Sequence, residues 1–191
     1  MPRAFERLAD LQADAAAIGF YDTGIVPGLA QTRDYAKAVI TAFWWGSSES
    51  EVENLVSFRM EQQRRVLEAD PPKDLVFVLT ETALDQVVGS MDVLRSQVLH
   101  LLQLAERPKA TVQVVRSTVP NNPLLGGGLI TLDFAGAAPR IAFAASHGPA
   151  TYHDQEEDTG PMFRALDRVR ELALTPKESF DLLLTKLKDM Q

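Results

Sequence analysis

The most informative segment of this chain reads Ile25-Val26-Pro27-Gly28-Leu29-Ala30-Gln31-Thr32-Arg33-Asp34-Tyr35-Ala36. Pro27-Gly28 is typical of turns, Thr32 suits a helix N-cap, and Asp34 places negative charge where a helix start favours it. Apolar side chains then recur at helical spacing, at Tyr35, Ala36, Val39, Ile40 and Phe43. Residues 25–36, here called the signature segment, therefore predict a turn that leads into an amphipathic helix.

Helical patterns dominate both ends of the chain. Two predicted helix starts carry capping-box pairs, Ser48 with Glu51 and Thr175 with Glu178. Apolar periodicity and the positions of Pro and Gly set the other boundaries. Helices are predicted over about residues 3–18, from 33 to the break at Gly46, and over 48–69, 91–107, 160–173 and 176–190.

The middle of the chain has the pattern of a small sheet. Leu75–Thr80 is a short apolar run typical of a buried strand. Asn121–Gly128 is rich in Asn, Pro and Gly and predicts a loop. Further strands are predicted at Thr111–Arg116, Leu129–Phe134 and Arg140–Ala145. A helical N-terminal part, a β-α-β-β-β middle and two C-terminal helices predict an α+β or α/β fold, in a single domain over residues 1–191.

Composition places the chain among ordinary globular proteins. Of its 191 residues, 46% are hydrophobic and 24% are charged, which suits one packed core. The chain has no cysteine, so disulfides and thiolate metal sites are excluded, and a cytoplasmic location is predicted. No apolar run approaches the length of about 18 residues that a membrane helix needs, so no membrane span is predicted.

Charge argues against direct contact with nucleic acid. The formal net charge is −7, whereas binding to a phosphate backbone requires clustered Lys and Arg. The densest basic group alternates with acidic residues, which predicts a solvated helix face; its members are Arg59, Arg64 and Arg65. The predicted partners therefore exclude nucleic acid and membranes.

Several stretches of the sequence resemble the motifs of one family. The signature segment resembles V-P-G-L-L-Q-T-x-x-Y-A, and Arg59–Gln63 resembles R-x-x-R-Q. Gln97 begins a match to Q-L-x-x-L-L, and Ala173–Ser179 matches A-L-x-P-x-E-S. The chain thus resembles the DUF5753 domain, usually found C-terminal to a helix-turn-helix in actinobacterial transcriptional regulators of the XRE/Scr1 type. We expect residues 1–191 to form this domain, with no helix-turn-helix.

The resemblance implies an effector-type domain that does not itself bind DNA. Its partner would be a small apolar molecule or a protein, and homodimerisation is a further option. The alternative is a stand-alone, cofactor-free enzyme that shapes an apolar intermediate in natural-product biosynthesis, for example a cyclase that holds a reactive conformer in a preorganised pocket. Whether the protein is an enzyme stays open at this point.

Candidate ligand-binding residues come from aromatic and acidic positions. Trp44 and Trp45 follow Phe43 at a helix end, and large flat side chains supply apolar pocket walls. Glu81 follows a predicted strand, at the sheet edge where open α/β folds place ligand contacts. Tyr152 lies in the segment after the last predicted strand. The alternatives are packing against the sheet for the aromatic cluster and an ordinary helix-start charge for Glu81.

Candidate acid–base residues are fewer. Glu81, His147 and His153 are the candidates, because both histidines lie beside an acidic stretch after the last predicted strand. Exposed loops also carry such combinations without any catalytic role. No recognised metal-binding spacing and no nucleotide-binding motif occurs, so neither a metal site nor a cofactor is predicted.

The chain departs from the family pattern at a few positions. Gln12 stands where an acidic residue is common, and Gln62 replaces an arginine. Ala30 replaces a leucine, Leu129 an aromatic residue and Ala145 a glutamate. Each change removes a charge or shrinks a side chain. If these positions converge in the fold, we expect the interior around them to be more apolar and roomier.

Overall fold

The computed structural model describes residues 3–145 and 151–190, and a six-stranded mixed sheet forms its centre. The strands lie in the order β3-β2-β1-β4-β5-β6. The first three are parallel to one another, and β4 to β6 continue the sheet in antiparallel pairs. Their bounds are β1 Ala17–Asp22, β2 Asp74–Thr80, β3 Ala110–Val115, β4 Gly128–Asp133, β5 Ile141–Ala145 and β6 Thr151–His153.

Three of the helices begin at the N-cap residues that the sequence predicts. Thr32, Ser48 and Thr175 each accept a hydrogen bond from a backbone N–H of the first turn, which confirms the predicted N-caps. None of the helices in the described residues has the length and apolarity needed to cross a bilayer. Their bounds are α1 Arg3–Asp14, α2 Arg33–Phe43, α3 Glu49–Leu67, α4 Glu81–Asp85, α5 Met91–Ala105, α6 Glu156–Leu172 and α7 Pro176–Asp189.

The α+β class is confirmed, but the N-terminal boundary was wrong. The predicted helix over residues 3–18 ends at Asp14, and Ala17–Asp22 forms the central strand β1. Ile18 fits helical spacing from Leu11, so local periodicity does not separate the two states. Tertiary pairing does, because β1 has a parallel neighbour on one side and an antiparallel one on the other. The short strand β6 was not predicted either.

Helices cover both faces of the sheet. The main core joins apolar side chains of β1, β2 and β3 to those of α2, α3, α5 and α7. Phe20 and Phe77 stack across β1 and β2 in this core, with ring centroids 5.0 Å apart. On the other face, Leu166 and Val169 of α6 pack on a smaller cluster around Tyr21. The sheet is therefore buried on both sides, as its apolar strands require.

Gly19 allows α6 to approach the sheet closely. A Cβ atom at this position would lie 2.3 Å from Cδ2 of Leu166 and 2.6 Å from Oγ1 of Thr131. Both neighbours are buried, so neither has space to move away. The absence of a side chain at position 19 therefore sets the distance between β1 and α6.

We expect Gly19→Ala to lower the free energy of unfolding by about 1–3 kcal/mol, because the added methyl overfills a packed interface. Chemical denaturation monitored by circular dichroism measures this change. Gly126→Ala is the matched control: a Cβ atom added there would have no neighbouring atom within 4 Å, and a change below about 0.5 kcal/mol is expected. Equal losses for the two variants would contradict the interpretation.

Candidate functional site

The turn in the signature segment is buried and held by glutamine side chains. Gln97 of α5 donates a hydrogen bond to the backbone oxygen of Ala30 and accepts one from the backbone N–H of Thr32, both at 2.7 Å. Gln31 donates to the backbone oxygen of Val26 at 2.8 Å. Buried backbone groups are costly unless they are paired. These amides therefore let the turn lie inside the protein.

We expect Gln97→Leu to destabilise the protein by about 2–4 kcal/mol, because it leaves one buried and one partly buried backbone group unpaired, at about 1–3 kcal/mol each. Thermal and chemical denaturation measure the loss. Gln103→Leu is the control, since Gln103 is exposed on the same helix. A similar loss in both variants would show that helix α5, and not the turn, is affected.

Arg59 lies against this turn, which corrects the prediction that it sits on a solvated helix face. Its Nη1 donates to Oε1 of Gln31 at 3.0 Å. The guanidinium lies so close to Gly28 that a Cβ there would be 2.4 Å from Nη1. Gln63 of α3 donates to the backbone oxygens of Gly28 and Gln31, both at 2.8 Å. Helix α3 thus packs against the turn through an arginine and a glutamine.

Arg59 is also electrostatically unusual. Burial lowers the pKa of its guanidinium from the ordinary value. No carboxylate of the described residues forms an ion pair with it, whereas Arg64 pairs with Glu61 and Arg65 pairs with Asp10. The positive charge of Arg59 is thus half-buried without a negative partner in the part of the chain that the structure describes.

A groove beside Arg59 joins this charge to apolar and aromatic side chains. It encloses about 40 Å³ and is called here the Trp44 groove. Three consecutive aromatic residues at the end of α2 are exposed: Phe43 by 61%, Trp44 by 40% and Trp45 by 88%. The residues that line the groove are Phe5, Ile40, Trp44, Leu55, Phe58, Arg59 and Gln62.

Two of the positions that depart from the family pattern contact each other, and one of them, Gln62, lines the groove. Nε2 of Gln62 donates to Oε1 of Gln12 at 2.6 Å, and both side chains are buried. Where the resemblance leads us to expect an acidic and a basic residue, this chain thus has two neutral amides. Ala30 and Leu129 lie in the core, and the side chain of Ala145 lies outside the described residues.

A larger cleft of about 320 Å³ lies along the edge of β3, next to α5 and α7. Its lining includes Glu106, Lys177 and Phe180. Lys177 already pairs with Asp181 at 2.8 Å. We take the Trp44 groove as the candidate site despite its smaller size, because it combines an arginine that has no acidic partner among the described residues with exposed aromatic side chains.

The other predicted site residues do not share one location. Glu81 lies at the start of α4, with a carboxylate oxygen 3.5 Å from Arg116 Nη1. The guanidinium of Arg7 lies 4.7 Å from the ring centre of Tyr152, on strand β6. Three strands separate β2 from β6, so Glu81 and Tyr152 lie roughly 19 Å apart or more. Their roles as ligand-binding residues stay predictions, and they do not belong to the Trp44 groove.

The predicted acid–base residues are also separated. His153 lies on β6 with Nδ1 3.7 Å from Oδ2 of Asp158. His147 lies outside the described residues. Within residues 3–145 and 151–190, no group of three or more His, Asp or Glu side chains has the arrangement of a metal site. Because β6 lies at one edge of the sheet and Glu81 follows β2 near the other, His153 and Glu81 do not form a catalytic pair.

Sequence reasoning missed a carboxylate at the end of β1. Oδ1 of Asp22 accepts hydrogen bonds from the backbone N–H groups of Gly24 and Ile25, at 3.1 and 3.3 Å. Burial raises the pKa of Asp22 above 3.8, and these hydrogen bonds offset part of the rise. The Asp-Thr-Gly sequence signals such a turn, but its place at the sheet edge follows only when residues 17–22 are known to form a strand.

We expect Asp22→Asn to raise the stability at neutral pH, since asparagine keeps the turn acceptor without a buried charge. A raised pKa means that the folded protein holds the proton at a pH where the unfolded chain has lost it. The charge therefore costs no stability below pH 3.8, and the cost grows as the pH rises through the folded pKa. Denaturation from pH 3 to 7 tests this: the curves of the two proteins should converge at acid pH, and parallel curves would contradict it.

Together these features define a mixed α+β domain in which a buried, glutamine-bound turn adjoins an arginine-containing groove. The chain belongs to the family described as Domain of unknown function (DUF5753), whose sequence model matches residues 5–185. The match spans nearly the whole chain and confirms the resemblance seen in the signature segment. No curated protein and no solved structure matches the chain.

Proposed function

We propose that this protein is an effector-type recognition domain that holds a small apolar molecule in the Trp44 groove. The observation that carries the proposal is the exposed ring of Trp44, which lines that groove together with the apolar side chains of Phe5 and Phe58. Exposed clusters of large apolar side chains mark binding sites, because leaving them in water forgoes the free energy of burial. Their flat rings also suit a ligand that lies along the groove.

The polar residues of the domain favour recognition over catalysis. The carboxylate of Glu81 is 3.5 Å from Arg116 and accepts a hydrogen bond from the backbone N–H of Ser117 at 3.4 Å. A carboxylate held in this way serves to fix the end of β3. At the Trp44 groove, the polar residues are Arg59 and Gln62, and neither is a general base at neutral pH.

Charge supports the further proposal that the domain does not itself contact DNA. The net charge is −7. The exposed arginines of α3 already have acidic partners, since Arg64 bonds to Glu61 at 2.7 Å and Arg65 to Asp10 at 3.0 Å. A phosphate backbone would have to compete with these carboxylates. We therefore assign recognition of a small molecule, and not of nucleic acid, to this domain.

The size of the groove limits how the ligand is held. Its volume of about 40 Å³ is well below the roughly 300–1,000 Å³ of sites that enclose drug-sized ligands. We therefore expect the ligand to lie partly exposed, with one side against the ring of Trp44. The contact area gained is then modest, and micromolar affinity or weaker is expected.

Titration with Nile red, an uncharged apolar dye, tests the groove directly. We expect saturable binding to the wild-type protein and about tenfold weaker binding to Trp44→Ala, because losing one aromatic wall costs about 1–2 kcal/mol. Leu99→Ala is the control: Leu99 is 44% exposed on α5 and is not part of the groove lining.

Equal weakening by Trp44→Ala and Leu99→Ala would show that the dye binds apolar surface in general. An absence of saturable binding to the wild-type protein would likewise contradict the proposal. Circular dichroism of each variant establishes that the fold is intact, which we expect because neither side chain belongs to the buried core.

A further inference from the structure

We infer that the ligand of the Trp44 groove is an apolar carboxylic acid, and that Arg59 recognises its carboxylate. This inference rests on the proposed function and specifies its ligand class. It starts from the position of one guanidinium among apolar walls, with Phe5 and Phe58 in the lining of the same groove. A charge in such surroundings is stabilised by an opposite charge that arrives with the ligand.

Only one of the three side-chain nitrogens of Arg59 donates a hydrogen bond to a described residue. Nη1 donates to Oε1 of Gln31 at 3.0 Å. Nε and Nη2 donate to no described residue. Neither atom is one of the buried polar atoms that lack a hydrogen-bond partner, so both remain accessible to solvent. These two nitrogens form one edge of the planar guanidinium. Two parallel N–H groups on one edge match the two oxygens of a carboxylate, which is the bidentate geometry typical of arginine.

The orientation of the guanidinium is set by the turn beneath it. Gln31 accepts from Nη1 and is itself held by its hydrogen bond to the backbone oxygen of Val26 at 2.8 Å. The group lies over Gly28, where any side chain would collide with it. Arg59 is therefore positioned before the ligand binds, and less side-chain entropy is lost on binding.

The surroundings select a carboxylate over other groups. The charge of Arg59 has no acidic partner among the described residues, and burial lowers the pKa of its guanidinium. A neutral ligand would leave this cost in place, and a cation would add repulsion. A phosphate dianion carries more charge than one guanidinium neutralises. A single carboxylate on an apolar body matches both the charge and the walls formed by Ile40, Trp44 and Leu55.

Three eight-carbon probes of different charge test the inference: octanoate, 1-octanol and octylammonium. The chain has only two tryptophans, Trp44 and Trp45, so intrinsic fluorescence reports on the groove. Near neutral pH we expect octanoate to bind about tenfold or more tightly than 1-octanol, and octylammonium to bind most weakly. This comparison uses the wild-type protein and does not depend on the folding of any variant.

Arg59→Met should abolish the preference for octanoate over 1-octanol, because methionine offers no N–H groups to the carboxylate. Arg59→Lys keeps the positive charge but loses the two parallel N–H groups of the guanidinium. We therefore expect this variant to retain part of the preference for octanoate. Arg64→Met is the matched control, because Arg64 is an exposed arginine on the same helix, and its preference should equal that of the wild type.

The outcomes separate this inference from the proposed function. Equal affinity for octanoate and 1-octanol in the wild-type protein would overturn the inference and leave the groove as a site for apolar molecules. The same conclusion follows if Nile red binds and none of the eight-carbon probes does. If neither the dye nor any probe binds, both the inference and the proposed function fail. An equal loss of preference in Arg64→Met would also overturn the role of Arg59.

Discussion

The structure depends on the pairing of backbone polar groups in a turn that is buried. The segment after β1 passes beneath α3 and α5, where water does not satisfy its N–H and C=O groups. Gln63 and Gln97 supply the missing partners from two different helices, with hydrogen bonds of 2.7–2.8 Å. Since each unpaired group would cost about 1–3 kcal/mol, these bonds tie the helical layer to the connection between β1 and α2.

The same turn prepares the candidate site. Gly28 leaves space for the guanidinium of Arg59. Gln31 links that guanidinium to the turn, because it accepts a hydrogen bond from Arg59 and donates one to the backbone oxygen of Val26. An arginine held in this way keeps one edge of its guanidinium available to a ligand. Trp44, which follows α2, then adds apolar surface next to the charge. Structural support and proposed recognition thus use neighbouring atoms of one segment.

The candidate residues illustrate what sequence patterns can locate. The aromatic cluster at Trp44 was found because three large rings in a row are conspicuous in any sequence. Glu81 was found as a carboxylate after a strand, but its contact with Arg116 could not be foreseen. Arg59 was assigned to a solvated face because its neighbours in sequence are charged. Its actual direction depends on Gln31, which lies 28 positions earlier in the chain.

Local signals alone determined most helix boundaries, the strands β2 to β5 and membership of the family, because capping residues, periodicity and short motifs act over a few positions. The assembled fold was needed to identify Ala17–Asp22 as the central strand and not as the end of a helix. The backbone groups on its two edges form hydrogen bonds with β2 and β4, which are distant in sequence. It was also needed to bring Gln97 to Thr32 across 65 positions. Contacts of this kind arise from packing in three dimensions, and no local pattern encodes them.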